Sequence, residues 1–144
     1  MKIFTIGFTK KSAEQFFNKL KQPDLFLLVD ARLNNVSQLA GFTKKNDLKF
    51  FVREICQIDY IHLPELAPTQ EILDAFKKNG GDWATYEEQF IALMTTRHIE
   101  SRIDKNLLAG GCLLCSESTP EYCHRRLVAE YLKEKWDDVE IHHL

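Results

Sequence analysis

Residues 110–126 read GGCLLCSESTPEYCHRR and hold the densest group of reactive side chains in the chain. The first half predicts a buried strand, because two glycines end the preceding helix and the apolar run 112–115 follows them. The second half predicts a helix start, since Ser118 and Glu121 have the spacing of a capping box and a proline between them suits the first helical turn. We therefore expect a strand, a turn and then a helix from Glu121 to about Lys135.

The periods of these two elements predict where their side chains point. His124 lies on the apolar stripe of the helix and should face the sheet. Alternation along the strand places Cys115 and Glu117 on one face and Cys112 on the other. Sheets of this kind commonly bind ligands at the carboxyl ends of their strands. We expect a site there that combines Cys115, Glu117, Cys123, His124 and Arg125.

The whole chain alternates strand and helix patterns in the order β-α-β-α-β-α-α-β-α-β. Such alternation implies a mainly parallel sheet of about five strands that is covered by helices on both faces. One helix is predicted to begin at Asp47, and a long one to continue as far as Leu108. With 144 residues, 44% of them apolar, the chain is expected to form a single α/β domain over residues 1–144.

Composition narrows the class of protein. The net charge is −2 and the pI is near 6.2, so no overall basic field favours nucleic acid or an anionic membrane, which leaves only local patches. No apolar run approaches the roughly 18 residues of a membrane helix. Four cysteines without a secretory signal predict a soluble protein in the reducing cytoplasm.

Two further segments carry candidate substrate-binding residues. Asp30 and Arg32 end the second strand and point the same way. They form either a salt bridge that braces the loop or an anion-binding arginine held by its carboxylate. Ser37 lies in the polar loop that follows, and His62 ends the third strand. For His62 the alternative is a structural hydrogen bond.

The loop after the first strand is another candidate site. Gly7 and Thr9 belong to a connection that ends at a second capping box, Ser12 with Gln15. Free backbone N–H groups at such a helix start can bind an anion. The alternative, which the sequence alone favours, is a plain connection.

The cysteine spacing excludes some kinds of chemistry. Cys112 and Cys115 have C-x-x-C spacing, but a strand points them apart at roughly 10 Å, beyond the reach of a disulfide. The same alternation argues against a metal site built from these two residues with Cys123 and His124, so no metal is predicted. The cysteine and arginine spacing of the phosphatase motif is not met either.

A thiol nucleophile is better supported. Cys123 precedes two arginines in the predicted first helical turn, which favours the thiolate, and His124 can act as a general base. Alternatively, Cys115 is the nucleophile and Cys123 resolves it. A third interpretation makes both cysteines small buried residues and pairs Arg125 with Glu117 or Asp30.

Four groups of signature residues are distributed along nearly the whole chain. They are Thr5, Ile6 and Gly7, then 29–32 with Ser37 and Phe42, then Tyr60 and 62–66, and finally 114–117 with 123–125. This pattern resembles a widespread microbial family, the domain of unknown function 488. The resemblance implies a Rossmann-like three-layer sandwich whose polar signature residues gather at one end of the sheet. The chain departs from the family where Phe8, Thr9 and Ala31 replace the usual His, Ser and Val.

The leading hypothesis is a small cytosolic enzyme that acts on an anionic or nucleotide-like substrate. The alternative is a non-catalytic module that binds a nucleotide or nucleic acid through the arginines together with Lys10, Lys11, Lys44 and Lys45. A protein-interaction domain is a third hypothesis. The sequence assigns no cofactor and no oligomeric state. The predicted catalytic residues are Cys115, Glu117, Cys123 and His124, and the predicted substrate-binding residues are Gly7, Thr9, Asp30, Arg32, Ser37, His62 and Arg125.

Overall fold

The computed structural model describes residues 1–35, 41–78 and 80–144. Within these residues, five parallel strands form one sheet in the order β3-β2-β4-β1-β5. A parallel sheet needs helices on both faces, and the chain supplies them. The predicted Rossmann-like three-layer α/β sandwich is therefore confirmed. The strands are β1 (Lys2–Gly7), β2 (Leu27–Asp30), β3 (Asp59–His62), β4 (Gly111–Cys115) and β5 (Glu140–His143).

Seven helices within the described residues cover the two faces of the sheet. They are α1 (Ala13–Leu20), α2 (Lys45–Cys56), α3 (Gln70–Lys78), α4 (Trp83–Arg97), α5 (Ile99–Arg102), α6 (Lys105–Leu108) and α7 (His124–Lys135). Helices α1 and α2 bury Phe16 and Val52 against one face, and α4 and α7 bury Phe90 and Leu132 against the other. Across the described ranges, every helix is too short or too polar to cross a membrane.

Strand β4 lies at the centre of the sheet, and all of its residues are buried. Leu113 packs in the core under α4 and α7, whereas Cys112 and Leu114 pack in the core under α1 and α2, as the alternation predicts. Strands β1 and β2 flank β4 and lead to helices on one face, but β4 leads to α7 on the other. The connections separate at the carboxyl end of β4, where such a fold leaves a crevice.

Helix α7 begins later than the sequence predicts. It starts at His124 with Cys123 as its N-cap, and not at Glu121 after a capping box with Ser118. Cys123 is extended, with φ −137° and ψ 138°, so the helix cannot include it. Its N–H donates instead to the carbonyl of Pro120 at 3.2 Å and closes a turn before the helix. This turn places the Cys123 side chain beside the end of β4.

The long helix that was predicted to reach Leu108 is divided into three. His98 ends α4 in the left-handed conformation, with φ 52° and ψ 50°, and Ile103 is extended between α5 and α6. These backbone angles interrupt the helical hydrogen bonds. Helix α2 starts at Lys45, before the predicted Asp47, because Lys44 supplies the extended N-cap conformation.

Candidate functional site

Cys115 and His124 form a thiol and imidazole pair at the carboxyl end of β4. The Sγ atom of Cys115 lies 3.5 Å from Nδ1 of His124. On the other side of the ring, Nε2 lies 2.7 Å from the carbonyl oxygen of Ala31. A carbonyl only accepts hydrogen bonds, so Nε2 carries a hydrogen and the ring is held with Nδ1 toward the sulfur. A third group thus orients the base, as in enzymes with an activated nucleophile.

Cys123 completes a group of three donor atoms. Its Sγ, the Sγ of Cys115 and Nδ1 of His124 all lie within 4.8 Å of one another. Cys123 is 2% exposed, Cys115 4% and His124 7%, so little of the group is in contact with water. Two sulfurs and one imidazole nitrogen are also a donor set that can ligate zinc.

The environment separates the pKa values of the two cysteines. Burial opposes ionisation of Cys115, but the hydrogen bond from Cys123 and the charge and hydrogen bond of His124 hold the pKa of Cys115 well below its usual range. Burial and the adjacent Cys115 raise the pKa of Cys123. For His124, the Cys115 thiolate outweighs burial and raises the pKa of the imidazole. Both shifts therefore favour the form of the pair in which Cys115 is a thiolate and His124 an imidazolium.

Hydrogen bonds of its backbone N–H and carbonyl groups hold Glu117 close to Cys115. Its N–H donates to the Cys115 sulfur and favours the thiolate. Its carbonyl accepts a hydrogen bond from Nη1 of Arg125 at 2.8 Å. A Cβ atom on Gly7 would lie 1.5 Å from that carbonyl oxygen, so the close approach requires glycine. Thr9 holds the adjoining residue, because its N–H and hydroxyl both donate to the carbonyl of Ser116.

Arg125 lies behind the sulfur group and is completely buried. Besides the Glu117 carbonyl, its Nε donates to Oγ1 of Thr5 at 3.4 Å. Within the described parts of the chain, no carboxylate forms a salt bridge with Arg125, and its Nη2 has no hydrogen-bond partner. The interpretation that pairs Arg125 with a carboxylate is therefore wrong, since the guanidinium contacts the Glu117 backbone instead. Burial lowers the pKa of the neighbouring Lys11, and the positive charge of Arg125 lowers it further.

Arg32 approaches the same end of β4 from the loop after β2. Its Nε and Nη2 donate to the two carboxylate oxygens of Asp30, each at 2.8 Å, and Nη2 also donates to the carbonyl of Thr43 at 2.6 Å. The guanidinium carbon lies 5.4 Å from the ring centroid of Phe8. Although Arg32 is only 5% exposed, its Nη1 has no hydrogen-bond partner among the described residues. The salt bridge is thus present and still leaves donors for an anion.

Other side chains fix this arginine in place. The hydroxyl of Tyr60 donates to Oδ2 of Asp30 at 2.5 Å, and Asp30 is completely buried. Nε2 of His62 donates to the carbonyl oxygen of Arg32 at 2.7 Å. His62 therefore makes the structural hydrogen bond that was its alternative interpretation.

A cleft of about 450 Å³ opens in front of these groups. Its polar wall contains the thiol and imidazole group with Glu117 and Arg32. Another part of its lining, the aromatic wall, consists of three rings: Trp83 stacks on Tyr86 at 4.9 Å between ring centroids and meets Tyr122 edge to face at 5.6 Å. Both a charged wall and a stacking surface thus face one space. The other residues that line the cleft are Phe8, Leu33, Asn34, Pro68, Gln70, Leu73, Phe76, Lys77 and Ser116.

The structure brings together the residues that were predicted from different strands. Five of them line the cleft, namely Arg32, Cys115, Glu117, Cys123 and His124. Four hold residues of the cleft without lining it, namely Gly7, Thr9, Asp30 and Arg125, and the side chain of His62 donates to the backbone carbonyl of Arg32. Ser37 lies outside the described residues. The predicted roles of all of these residues remain predictions.

The sequence interpretation missed most of the aromatic wall. Tyr86 falls within the long helix that the sequence predicts and Tyr122 at the predicted helix start, so neither was a predicted site residue. The available signal was Trp83 three residues before Tyr86 and two residues after the second of two glycines, at 80 and 81. That spacing places both rings on one side of a helix at its N-terminal end.

Comparison with known proteins agrees with the residue pattern. No curated protein and no solved structure matches the chain. A family model described as domain of unknown function DUF488 matches residues 12–132, which include β2 to β4, most of α7 and all the residues that line the cleft except Phe8. The chain therefore belongs to the family described as domain of unknown function DUF488.

Proposed function

We propose that the protein is a small enzyme in which Cys115 is the nucleophile and His124 its acid–base partner. The observation that carries this proposal is the 3.5 Å contact between Sγ and Nδ1, in a ring that Ala31 holds by its carbonyl at 2.7 Å. The thiolate attacks an electrophilic centre of the substrate, and the imidazolium protonates the group that leaves. Glu117 lines the same cleft and is a second acid–base group.

Cys115 is a better nucleophile than Cys123 in this arrangement. The imidazole faces Cys115, and the charge and hydrogen bond of His124 favour the Cys115 thiolate. Cys123 instead donates a hydrogen bond to that sulfur, and the pKa of Cys123 is raised. A thiol held in its protonated form is a poor nucleophile.

The walls of the cleft support an anionic, nucleotide-like substrate. Arg32 keeps a buried guanidinium nitrogen without a partner in the described chain, and such donors bind phosphate or carboxylate oxygens. Tyr122 lines the cleft and is 60% exposed, so its ring offers a face on which a planar base can stack. Lys77 adds a second cation to the lining.

Differential alkylation tests the nucleophile. The folded protein is treated with iodoacetamide at neutral pH, and each cysteine is followed by peptide mapping. We expect Cys115 to react at least about tenfold faster than Cys112 and Cys56, since one unit of pKa changes the thiolate fraction tenfold. The urea-unfolded protein is the control, in which these differences disappear. Equally slow reaction of every thiol in the folded protein would exclude the proposal.

Protection from alkylation tests the substrate class. A nucleoside monophosphate should slow the alkylation of Cys115 more than inorganic phosphate or the nucleoside alone, because it contacts both walls. Arg32→Gln should remove the advantage of the phosphate and retain any effect of the nucleoside. Equal labelling rates with and without all three compounds would reject a nucleotide-like substrate.

A non-catalytic nucleotide-binding module is the second candidate, favoured by the same Arg32 and aromatic wall. It predicts protection by nucleotides but no change in binding when Cys115 is replaced by Ser. Binding of a polynucleotide that weakens steeply with salt would extend this candidate to nucleic acid.

A further inference from the structure

Cys123 has no part in the proposed reaction, although it lies against the nucleophile. It is 2% exposed, it is the N-cap residue of a helix of twelve residues, and its sulfur lies within 4.8 Å of the sulfur of Cys115. A buried thiol next to a thiolate is chemically the partner with which that thiolate forms a disulfide.

We propose that Cys115 and Cys123 form a reversible redox pair that reduces hydroperoxides. The inference rests on the Cys115 nucleophile of the proposed function and adds a second activity, with a hydroperoxide as oxidant and an external thiol as reductant. The geometry that supports it is the approach of the two sulfurs, which lie within 4.8 Å of each other and of Nδ1 of His124.

The chemical steps balance with the groups present in the cleft and the two named reactants. The Cys115 thiolate attacks one oxygen of the hydroperoxide, the O–O bond breaks, and Cys115 becomes a sulfenic acid. The His124 imidazolium gives its proton to the departing oxygen, which leaves as water or an alcohol. Cys123 then attacks the Cys115 sulfur, a disulfide forms, and the sulfenic hydroxyl leaves with the Cys123 proton as water. Two external thiols restore both cysteines and become a disulfide themselves.

The backbone around Cys123 permits the approach that a disulfide needs. An S–S bond is about 2 Å long, so the sulfurs must move together by roughly 3 Å at most. Cys115 is fixed in the central strand, whereas residues 118–122, which precede Cys123, form bends and turns. They can shift without breaking the pairing of β4 with its neighbours or the hydrogen bonds that hold Ser116 and Glu117.

The other two cysteines cannot take this role. Cys112 faces the core under α1 and α2, on the opposite side of the sheet from Cys115. Cys56 ends α2 and its sulfur contacts the carbonyl of Phe17 at 3.5 Å, in the same distant layer. Both therefore serve as internal controls.

The test compares the wild type, Cys115→Ser, Cys123→Ser and the matched control Cys56→Ser after one equivalent of hydrogen peroxide. In the wild type and the control we expect the loss of two hydrogen atoms in the intact mass, a peptide that joins Cys115 to Cys123, and reversal by dithiothreitol. Cys123→Ser should accumulate a sulfenic acid on Cys115 that dimedone captures. Cys115→Ser should show neither product. Circular dichroism establishes that each variant is folded.

The outcomes separate this inference from the proposed function. Rapid alkylation of Cys115 with no disulfide after peroxide would reject the redox pair and leave the nucleophile in place. Slow alkylation of Cys115 would reject both. Protection of both cysteines until a chelator removes stoichiometric zinc would also reject the redox pair, because the three donor atoms would then be metal ligands.

Discussion

Two cysteines on the same strand, Cys112 and Cys115, have opposite properties. Both are buried, at 0% and 4% exposure. Around Cys112 the core is apolar, and burial raises the pKa of its thiol. Around Cys115 the imidazole of His124, the thiol of Cys123 and a backbone N–H act against burial and lower the pKa. Burial alone therefore does not decide whether a cysteine is inert, because polar partners on one face of a strand can reverse its effect.

Strand β1, which pairs with β4, shows the same difference between its two ends. In the register of β1 with β4, Phe4 pairs with Cys112 and Gly7 pairs with Cys115. At Phe4 the ring fills the core under α1 and α2. At Gly7 the absence of a side chain admits the Glu117 carbonyl. The Phe4 end of this strand pair is filled by core side chains, whereas the Gly7 end leaves space for the Glu117 backbone beside the Cys115 sulfur.

The largest predicted effect comes from removing the reactive thiol. Cys115→Ala should lower the rate of alkylation of the folded protein at pH 7 by about a hundredfold, since burial raises the pKa of each of the three remaining thiols, Cys56, Cys112 and Cys123. The measurement is the total incorporation of iodoacetamide with time. Unchanged incorporation, now at Cys123, would show that the two cysteines of the site are interchangeable.

Gly7→Ala should disrupt the Cys115 end of the strand pair. Its Cβ would lie 1.5 Å from the Glu117 carbonyl oxygen, so the loop must move, and we expect the free energy of unfolding to fall by about 2–3 kcal/mol. Urea unfolding measures this change. Gly41→Ala is the matched control, because among the described residues beyond its chain neighbours no atom lies within 4 Å of its Cβ position. Equal stability of the two variants would contradict the close packing at Gly7.

His124→Gln should make Cys115 resemble Cys112 more closely. The charge and hydrogen bond of His124 favour the thiolate, so their removal raises the pKa of Cys115. Reactivity at pH 7 should fall by about tenfold for each unit of that rise. The pH dependence of alkylation measures it: the wild type should stay reactive until the pH falls below its lowered pKa, and the variant should lose reactivity at a higher pH. His62→Gln, which affects only a contact to the Arg32 backbone, should keep the wild-type profile.

The smallest effect is predicted for Cys112. Cys112→Ala removes a sulfur from the close-packed core and should lower the free energy of unfolding by about 1 kcal/mol. The alkylation rate of Cys115 should stay within about twofold of the wild type, because the two side chains lie on opposite faces of β4. A large loss of Cys115 reactivity would show that the two faces are coupled.

Local patterns predicted much of the fold. The strand and helix order, the parallel sheet and the alternation along β4 follow from periodicity, and the capping box of Ser12 and Gln15 is confirmed. The predicted start of α7 was wrong. Ser118 and Glu121 have the spacing of a capping box, but the structure forms a turn there instead, which the hydrogen bond from the Cys123 N–H to the Pro120 carbonyl closes. Sequence spacing cannot separate two local hydrogen-bond patterns that satisfy the same backbone groups.

The sequence by itself determined that this chain forms an α/β sandwich and that Cys115, Glu117, Cys123 and His124 gather after a central strand, because side-chain direction follows from the period of each element. Only the tertiary structure decided which cysteine faces the imidazole, that Ala31 holds the ring, and that Trp83 and Tyr122 line the same cleft. These contacts join residues that are distant along the chain, and their distances depend on how whole layers pack. No local pattern contains that information.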